Sequence, residues 1–154
     1  MPPALWLAGV LGPARRDLTV LRWSGQPDLL VPLPTGIRWD TVALTAATGL
    51  PLLTAALAGA ARERIGPVLL DARTAQTYWL LPPGSDSAWA HAHPQTSALA
   101  AGFRIEMPAP DTPASGNTSV GWAHWPALGG TLTPSRWLAA ALFGTAPQPA
   151  PPAQ

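Results

Sequence analysis

The chain has 154 residues, of which 47% are hydrophobic and only 11% are charged, and its formal net charge is +1. This length allows one domain with a substantial core, whereas the charge excludes a protein that holds nucleic acid by a bulk excess of positive charge. The chain has no cysteine, which excludes disulfides, cysteine-based zinc sites and thiol nucleophiles, and we expect a cytoplasmic protein.

The N-terminal segment is apolar from Ala4 to Leu11. This run is too short to span a bilayer. Arg15 and Arg16 follow it, whereas the basic residues of a signal peptide precede its apolar region. We therefore predict a short strand or helix that packs on the domain, and we expect no membrane partner.

Three short strands are predicted next, over residues 18–23, 28–33 and 37–44. Pro32 and Pro34 favour an edge position or an irregular shape for the second strand, because proline has no N–H to donate within a sheet. The third strand is predicted to be central.

A helix is expected after these strands. Thr48 is a suitable N-cap, and the apolar residues that follow recur at helical spacing. These residues are Leu50, Leu53, Leu57 and Ala60. The helix is predicted to stop at Gly66 and Pro67, with Arg62 and Arg64 near its negative end.

The second half of the chain has a hairpin pattern over 67–72 and 76–82, followed by strands over 102–110 and 120–125. The polar segment 111–119, rich in proline, glycine and serine, is predicted to be a loop between those two strands.

A closing helix is predicted after Thr133, with this threonine as N-cap and Pro134 at the first position. Residues 145–154 are rich in proline and alanine and are expected to be disordered. We predict a single α+β domain over 1–144, with a mostly antiparallel sheet and two principal helices.

The order and wording of these segments resemble a known family. They read TGIRWDTVAL, GPVLLD, TYWLLPPGS, AGFRIEMPAP and GTLTPSRWLAAAL, between about residue 30 and residue 143. They resemble small actinobacterial proteins related to the N-terminal domain of bifunctional DNA primase/polymerases, of the archaeo-eukaryotic primase superfamily. The resemblance implies a primase/polymerase-like fold. In the superfamily, this fold performs metal-dependent nucleotidyl transfer.

Of the acids and the histidine in the family's catalytic motifs, at most one acid is matched in this sequence. Asp40 matches the first acid of the metal-binding pair, but Val42 stands at the second. Gln76 and Thr77 stand where the family has a histidine, and no acid precedes the strand at 102–110. A single carboxylate does not arrange two divalent cations around a triphosphate. We therefore predict a non-catalytic accessory domain that binds a nucleotide, a nucleic acid or a protein partner.

The predicted ligand-binding surface combines two arginines and two acids from two strands. Alternate strand residues share a face, so Arg38 lies beside Asp40, and Arg104 lies beside Glu106. The superfamily's strand order implies that these two strands are neighbours. Such mixed charge tends to pair internally, so we expect any nucleotide or nucleic-acid binding to be weak. The candidate residues of this surface are Arg38, Asp40, Gln76, Tyr78, Arg104 and Glu106.

Two other functions stay open. One is an enzyme of another class with a rebuilt site that uses Asp40, Glu106 or a metal centre of His91, His93 and His124. The other is a pure protein-interaction module.

Histidines at a surface or core edge are commoner than metal ligands, so we expect neither a metal nor a cofactor. Trp39, Trp79 and Trp137 lie in apolar patterns that favour core packing. Trp122 and Trp125, which flank His124, are the pair that we interpret as a possible ligand surface.

Overall fold

A computed structural model describes residues 1–85 and 96–143. The α-helices among these residues are α1 (Pro3–Ala8), α2 (Pro13–Gly25), α3 (Ala46–Leu57) and α4 (Ser135–Phe143). The strands are β1 (Val31–Pro34), β2 (Asp40–Thr45), β3 (Val68–Asp71), β4 (Gln76–Leu81), β5 (Thr96–Ala98), β6 (Arg104–Met107) and β7 (Val120–His124). The predicted α+β class is confirmed. The tail at 145–154 and two of the histidines, His91 and His93, lie outside the described residues.

The strands form two sheets. Five of them pair in the order β5-β2-β4-β3-β7, and β1 pairs with β6 in a separate two-stranded sheet. The named strand pairs are antiparallel, as predicted. The hairpin of β3 and β4 is confirmed, and β2 lies between two other strands, as predicted for a central strand.

The five-stranded sheet carries a hydrophobic core on each face, because successive side chains of a strand point to opposite faces. On β4, Trp79 and Leu81 belong to the core beneath α3 and α4. Tyr78 and Leu80 belong to the other core, which contains α1 and the sheet of β1 and β6. The molecule is therefore layered, with the five-stranded sheet in the middle.

The N-terminal apolar segment was predicted to be a short strand or helix that packs on the domain. It forms the helix α1, which packs on the domain. Leu7 and Ala8 are fully buried. The segment 18–23 was predicted as a strand, and this prediction is wrong, because it lies within α2. Proline at the first position of α2 suits a helix start, and the buried Thr19 and Trp23 are four residues apart, as on one helix face.

Helix α3 starts and ends earlier than predicted. It begins directly after Thr45 and ends at Leu57, so Arg62 lies in a separate 3₁₀ turn. Gly59, a poor helix former, follows the end of α3. The predicted cap of α4, Thr133, is instead fully buried, and its hydroxyl accepts a hydrogen bond from the Gly66 N–H at 2.9 Å. None of the described helices is long and apolar enough to cross a membrane.

Candidate functional site

The two strands that were expected to be neighbours lie in different sheets. β6 pairs with β1, whereas β2 pairs with β4 and β5. The expectation that Arg104 and Glu106 would face Asp40 across adjacent strands is therefore wrong. The neighbour of a strand is set by long-range pairing, which the local pattern of apolar residues does not encode.

Asp40 begins β2 and is only 5% exposed. It lies directly across from Leu81, on the sheet face that carries α3 and α4. Gln76 and Tyr78 alternate with the side chains of that face, so they lie on the opposite one. The sheet therefore separates Asp40 from both of these candidate residues.

Arg38 and Asp40 do not share a strand face either, since Arg38 precedes β2 in an exposed bend. Its guanidinium packs over Gly9, so closely that a Cβ on that glycine would lie 2.7 Å from the Arg38 Nη1. Arg104 is exposed on β6, on the same strand face as Glu106.

Glu106 belongs to a charged group centred on Arg73. Arg73 donates hydrogen bonds from Nε to Asp71 Oδ1 and from Nη2 to Asp71 Oδ2, each at 3.0 Å. Its Nη1 lies 3.9 Å from Glu106 Oε2. The hydrogen bond to Asp71, together with the charges of Asp71 and Glu106, raises the pKa of Arg73 further above its already high ordinary value. This group joins the hairpin turn to β6, so it links the two sheets.

The structure thus brings three of the six candidates together around the Asp71–Arg73 pair. Gln76 lies directly across from Asp71, Tyr78 contributes to the electrostatic environment of Arg73, and Glu106 is an ion-pair partner of Arg73. The sequence analysis missed Asp71 and Arg73. The sequence did contain a signal for this ion pair, because an acid stands two residues before an arginine at a predicted hairpin turn.

Two of the positions that the sequence analysis compared with catalytic motifs are buried. Val42 belongs to the core beneath α3 and α4. Thr77 is fully buried, and its hydroxyl donates to the Leu44 carbonyl at 3.0 Å and accepts from Trp79 Nε1 at 3.1 Å. Neither side chain is presented to a substrate in solvent.

No group of three or more histidine, cysteine or acidic residues that could hold a metal occurs in the described ranges 1–85 and 96–143. Of the three histidines considered as a metal centre, only His124 lies within these ranges.

A cleft of about 750 Å³ opens between the 3₁₀ turn at 62–64 and the segment that follows β7. Its lining combines charged, aromatic and apolar side chains. These residues are Arg62, Glu63, Ile65, His124, Trp125, Pro126, Ala127 and Leu128. The volume falls within the usual range of small-molecule sites.

Trp125 is held in the cleft by other aromatic rings. Its ring packs edge-on against Trp122, with centroids 4.8 Å apart, and against Trp6 of α1 at 6.1 Å. Trp6 in turn packs on the buried Trp39 at 5.4 Å. Edge-to-face packing of this kind fixes the ring orientation, so Trp125 offers a rigid surface.

His124 lies beside Trp125, and its Nε2 is 3.3 Å from the Ile65 carbonyl oxygen. Burial lowers the pKa of His124 below 6.5, the nearby Arg62 charge lowers it further, and the hydrogen bond to Ile65 offsets part of this change. The lowered pKa therefore favours the neutral imidazole at pH 7. Because Nε2–H donates to the carbonyl, Nδ1 is left as a hydrogen-bond acceptor.

Arg62 and Glu63 place opposite charges in the same cleft. The sequence analysis identified His124 and Trp125 but not these two residues, because it assigned 62–64 to the end of a long helix. The cleft thus offers a cation, a carboxylate, a neutral acceptor and an aromatic ring.

A scan of the chain against protein-family models and searches among curated proteins and solved structures gave no significant match.

Proposed function

We propose that the chain is a non-catalytic accessory domain on a primase/polymerase-like scaffold, and that it binds a nucleotide in the cleft at Arg62, His124 and Trp125. The observation that carries this proposal is the composition of the cleft. It combines a rigid aromatic ring, a cation and a neutral imidazole within about 750 Å³. These are the groups that recognise a planar base and a phosphate.

Each group has a separate task in such a complex. The base stacks on the Trp125 ring, a contact that any base can make. The Arg62 guanidinium binds the phosphate through paired hydrogen bonds. His124 Nδ1 accepts an N–H of the base, and the Glu63 carboxylate accepts another from an exocyclic amine.

The balance of charge favours a ligand with few phosphates. The cleft contains one arginine and one glutamate, and the glutamate repels a long anionic chain. A nucleoside monophosphate therefore fits better than a triphosphate, which is the opposite of what a polymerase requires.

The non-catalytic part of the proposal is supported by the buried motif positions. Val42 and Thr77 both lie inside the molecule, with Thr77 hydrogen-bonded to the backbone of β2. Asp40 and Tyr78 lie on opposite faces of the sheet. These two side chains therefore do not belong to one exposed site that could hold a metal.

A thermal-shift titration with nucleoside mono-, di- and triphosphates tests the proposal. A nucleotide at 100 times its dissociation constant is expected to add about 2.7 kcal/mol to the free energy of unfolding. The monophosphate is expected to bind most tightly, and Arg62→Gln is expected to weaken its binding. Arg64→Gln is the matched control, because Arg64 belongs to the same turn but does not line this cleft. A flat response to every nucleotide, or equal binding by Arg62→Gln and wild type, contradicts the proposal.

A further inference from the structure

Helix α2 exposes two leucines on its outer surface. Leu18 is 48% exposed and Leu21 is 69% exposed, whereas Thr19 and Trp23 of the same helix face the core. Residues three apart are neighbours on a helix surface, so the two leucines form one patch.

The patch adjoins a groove of about 220 Å³ between α2 and β1. Most of the lining is apolar and includes Leu18, Leu29, Leu30 and Val31. The groove is large enough for one or two apolar side chains rather than for a whole small molecule.

Two cations flank this apolar lining. Arg15 and Arg22 both line the groove, one helical turn before and one after Leu18. Neither forms an ion pair with a carboxylate among residues 1–85 and 96–143, whereas Arg16 is paired with Asp17 at 3.0 Å. The surface is therefore complementary to a partner with apolar side chains between carboxylates.

The backbone of β1 disfavours a partner that adds a strand. Pro32 and Pro34 supply two of its four residues and have no N–H to donate. A second copy of the chain is disfavoured by charge, because Asp17 is the only acidic residue in the four helices of the described ranges. Two copies of α2 would bring their arginines together.

We propose that this groove docks an acidic amphipathic helix of another protein. An apolar side chain of that helix enters beside Leu18 and Val31, and its carboxylates pair with Arg15 and Arg22. This is the helix-in-groove mode of recognition. The proposal is independent of the nucleotide cleft, because none of the residues that line the groove lines the cleft.

Nuclear magnetic resonance titration with two synthetic amphipathic peptides of about 15 residues tests the proposal. Both peptides carry the same leucine stripe, and one has glutamates where the other has lysines. The glutamate peptide is expected to shift the amide resonances of α2 and β1, and the lysine peptide is not. Leu21→Ser is expected to weaken binding of the glutamate peptide on the order of tenfold. The double variant Arg15→Gln/Arg22→Gln is expected to do the same.

Ile37→Ser is the matched control, because Ile37 is 58% exposed but neither lines the groove nor belongs to the leucine patch of α2 that adjoins it. This variant is expected to bind like wild type. Equal binding of the two peptides, shifts that lie elsewhere, or no binding of either at about 1 mM overturns the proposal. Sedimentation with phosphatidylcholine/phosphatidylserine vesicles is the second measurement. The protein could sediment with the vesicles, lose this sedimentation in Leu21→Ser, and bind neither peptide. That result would overturn the proposal and would assign the patch to a membrane surface.

Discussion

The buried hydroxyl of Thr77 holds the indole of Trp79, and its removal tests the layered core directly. The hydroxyl accepts from Trp79 Nε1 at 3.1 Å and donates to the Leu44 carbonyl at 3.0 Å. Gly49 of α3 packs on the same side chain, and any Cβ at that position would collide with it. The contact between α3 and the sheet therefore depends on the shape of Thr77 as well as on its hydroxyl.

Thr77→Val keeps the shape of the side chain and removes the hydroxyl. The Trp79 N–H then stays buried without an acceptor, which costs about 1–3 kcal/mol for a polar group away from water. We expect the free energy of unfolding to fall by about 2 kcal/mol, which for a chain of this size lowers Tm by about 4–8 °C. Urea unfolding gives the free energy, and calorimetry gives Tm.

Thr54→Val is the matched control. Thr54 lies on the exposed side of α3, where its hydroxyl donates to the Leu50 carbonyl at 3.0 Å and water can replace it. We expect a change within about 0.5 kcal/mol for this variant. If Thr77→Val is also within that margin, the hydroxyl does not hold the indole, and the argument that Thr77 serves the core is refuted.

Four further outcomes are expected. No primer synthesis should occur with Mg²⁺ or Mn²⁺, and product that disappears in Asp40→Ala would contradict this. Asp71→Asn should lower the free energy of unfolding by about 1 kcal/mol in urea, because the hydrogen bonds from Arg73 lose their charged acceptor. The pKa of His124 is lower in the folded than in the unfolded chain, so the unfolded state binds the proton more tightly. Stability should therefore fall as the pH drops below about 6.5, and His124→Gln should reduce this loss. Single-stranded DNA binding, measured by anisotropy, should be weak with a shallow salt dependence; tight, steep binding that is lost in Arg104→Ala would contradict it.

The elements that were predicted well depend on local signals. The hairpin of β3 and β4 has two apolar runs separated by four polar or small residues, and such a pattern determines its own pairing. In strand β6 the buried Ile105 and Met107 alternate with the exposed Arg104 and Glu106, and this alternation of apolar and charged residues is visible in the sequence. The sequence therefore predicted six of the seven described strands and their mainly antiparallel pairing, but not their division into two sheets.

Helix α2 was mistaken for a strand because its apolar residues are not all in the core. Leu18 and Leu21 are exposed. If both leucines are assumed to lie in the core, the short apolar run around them resembles a buried strand. The exposed leucines that led to the wrong strand prediction are also the ones that we infer to contact a partner. A local pattern does not distinguish leucines of a core from leucines of an interface.

The candidate site was predicted by residue type but not by arrangement. Glu106 does pair with an arginine, as mixed charge was expected to do, but its partner is Arg73 of the hairpin rather than a residue of β2. Similarly, His124 and Trp125 were identified, whereas Arg62 was not. The missing information in both cases was the long-range packing of segments about 30 to 60 residues apart, which has no local signature.

The N-terminal helices contribute to both proposed surfaces. Trp6 of α1 packs on Trp125 and so supports the wall of the cleft, and α2 forms one side of the groove. Both helices precede residue 30, so they lie outside the segments from which the sequence analysis predicted a primase/polymerase-like scaffold. On such a scaffold, the N-terminal segment of α1 and α2 has more than a packing role. It supports the ring on which a base would stack and supplies the cations that would attract a partner. The two surfaces can then be separated experimentally, because Leu21 belongs to the patch beside the groove and does not line the cleft, whereas Arg62 lines the cleft and not the groove.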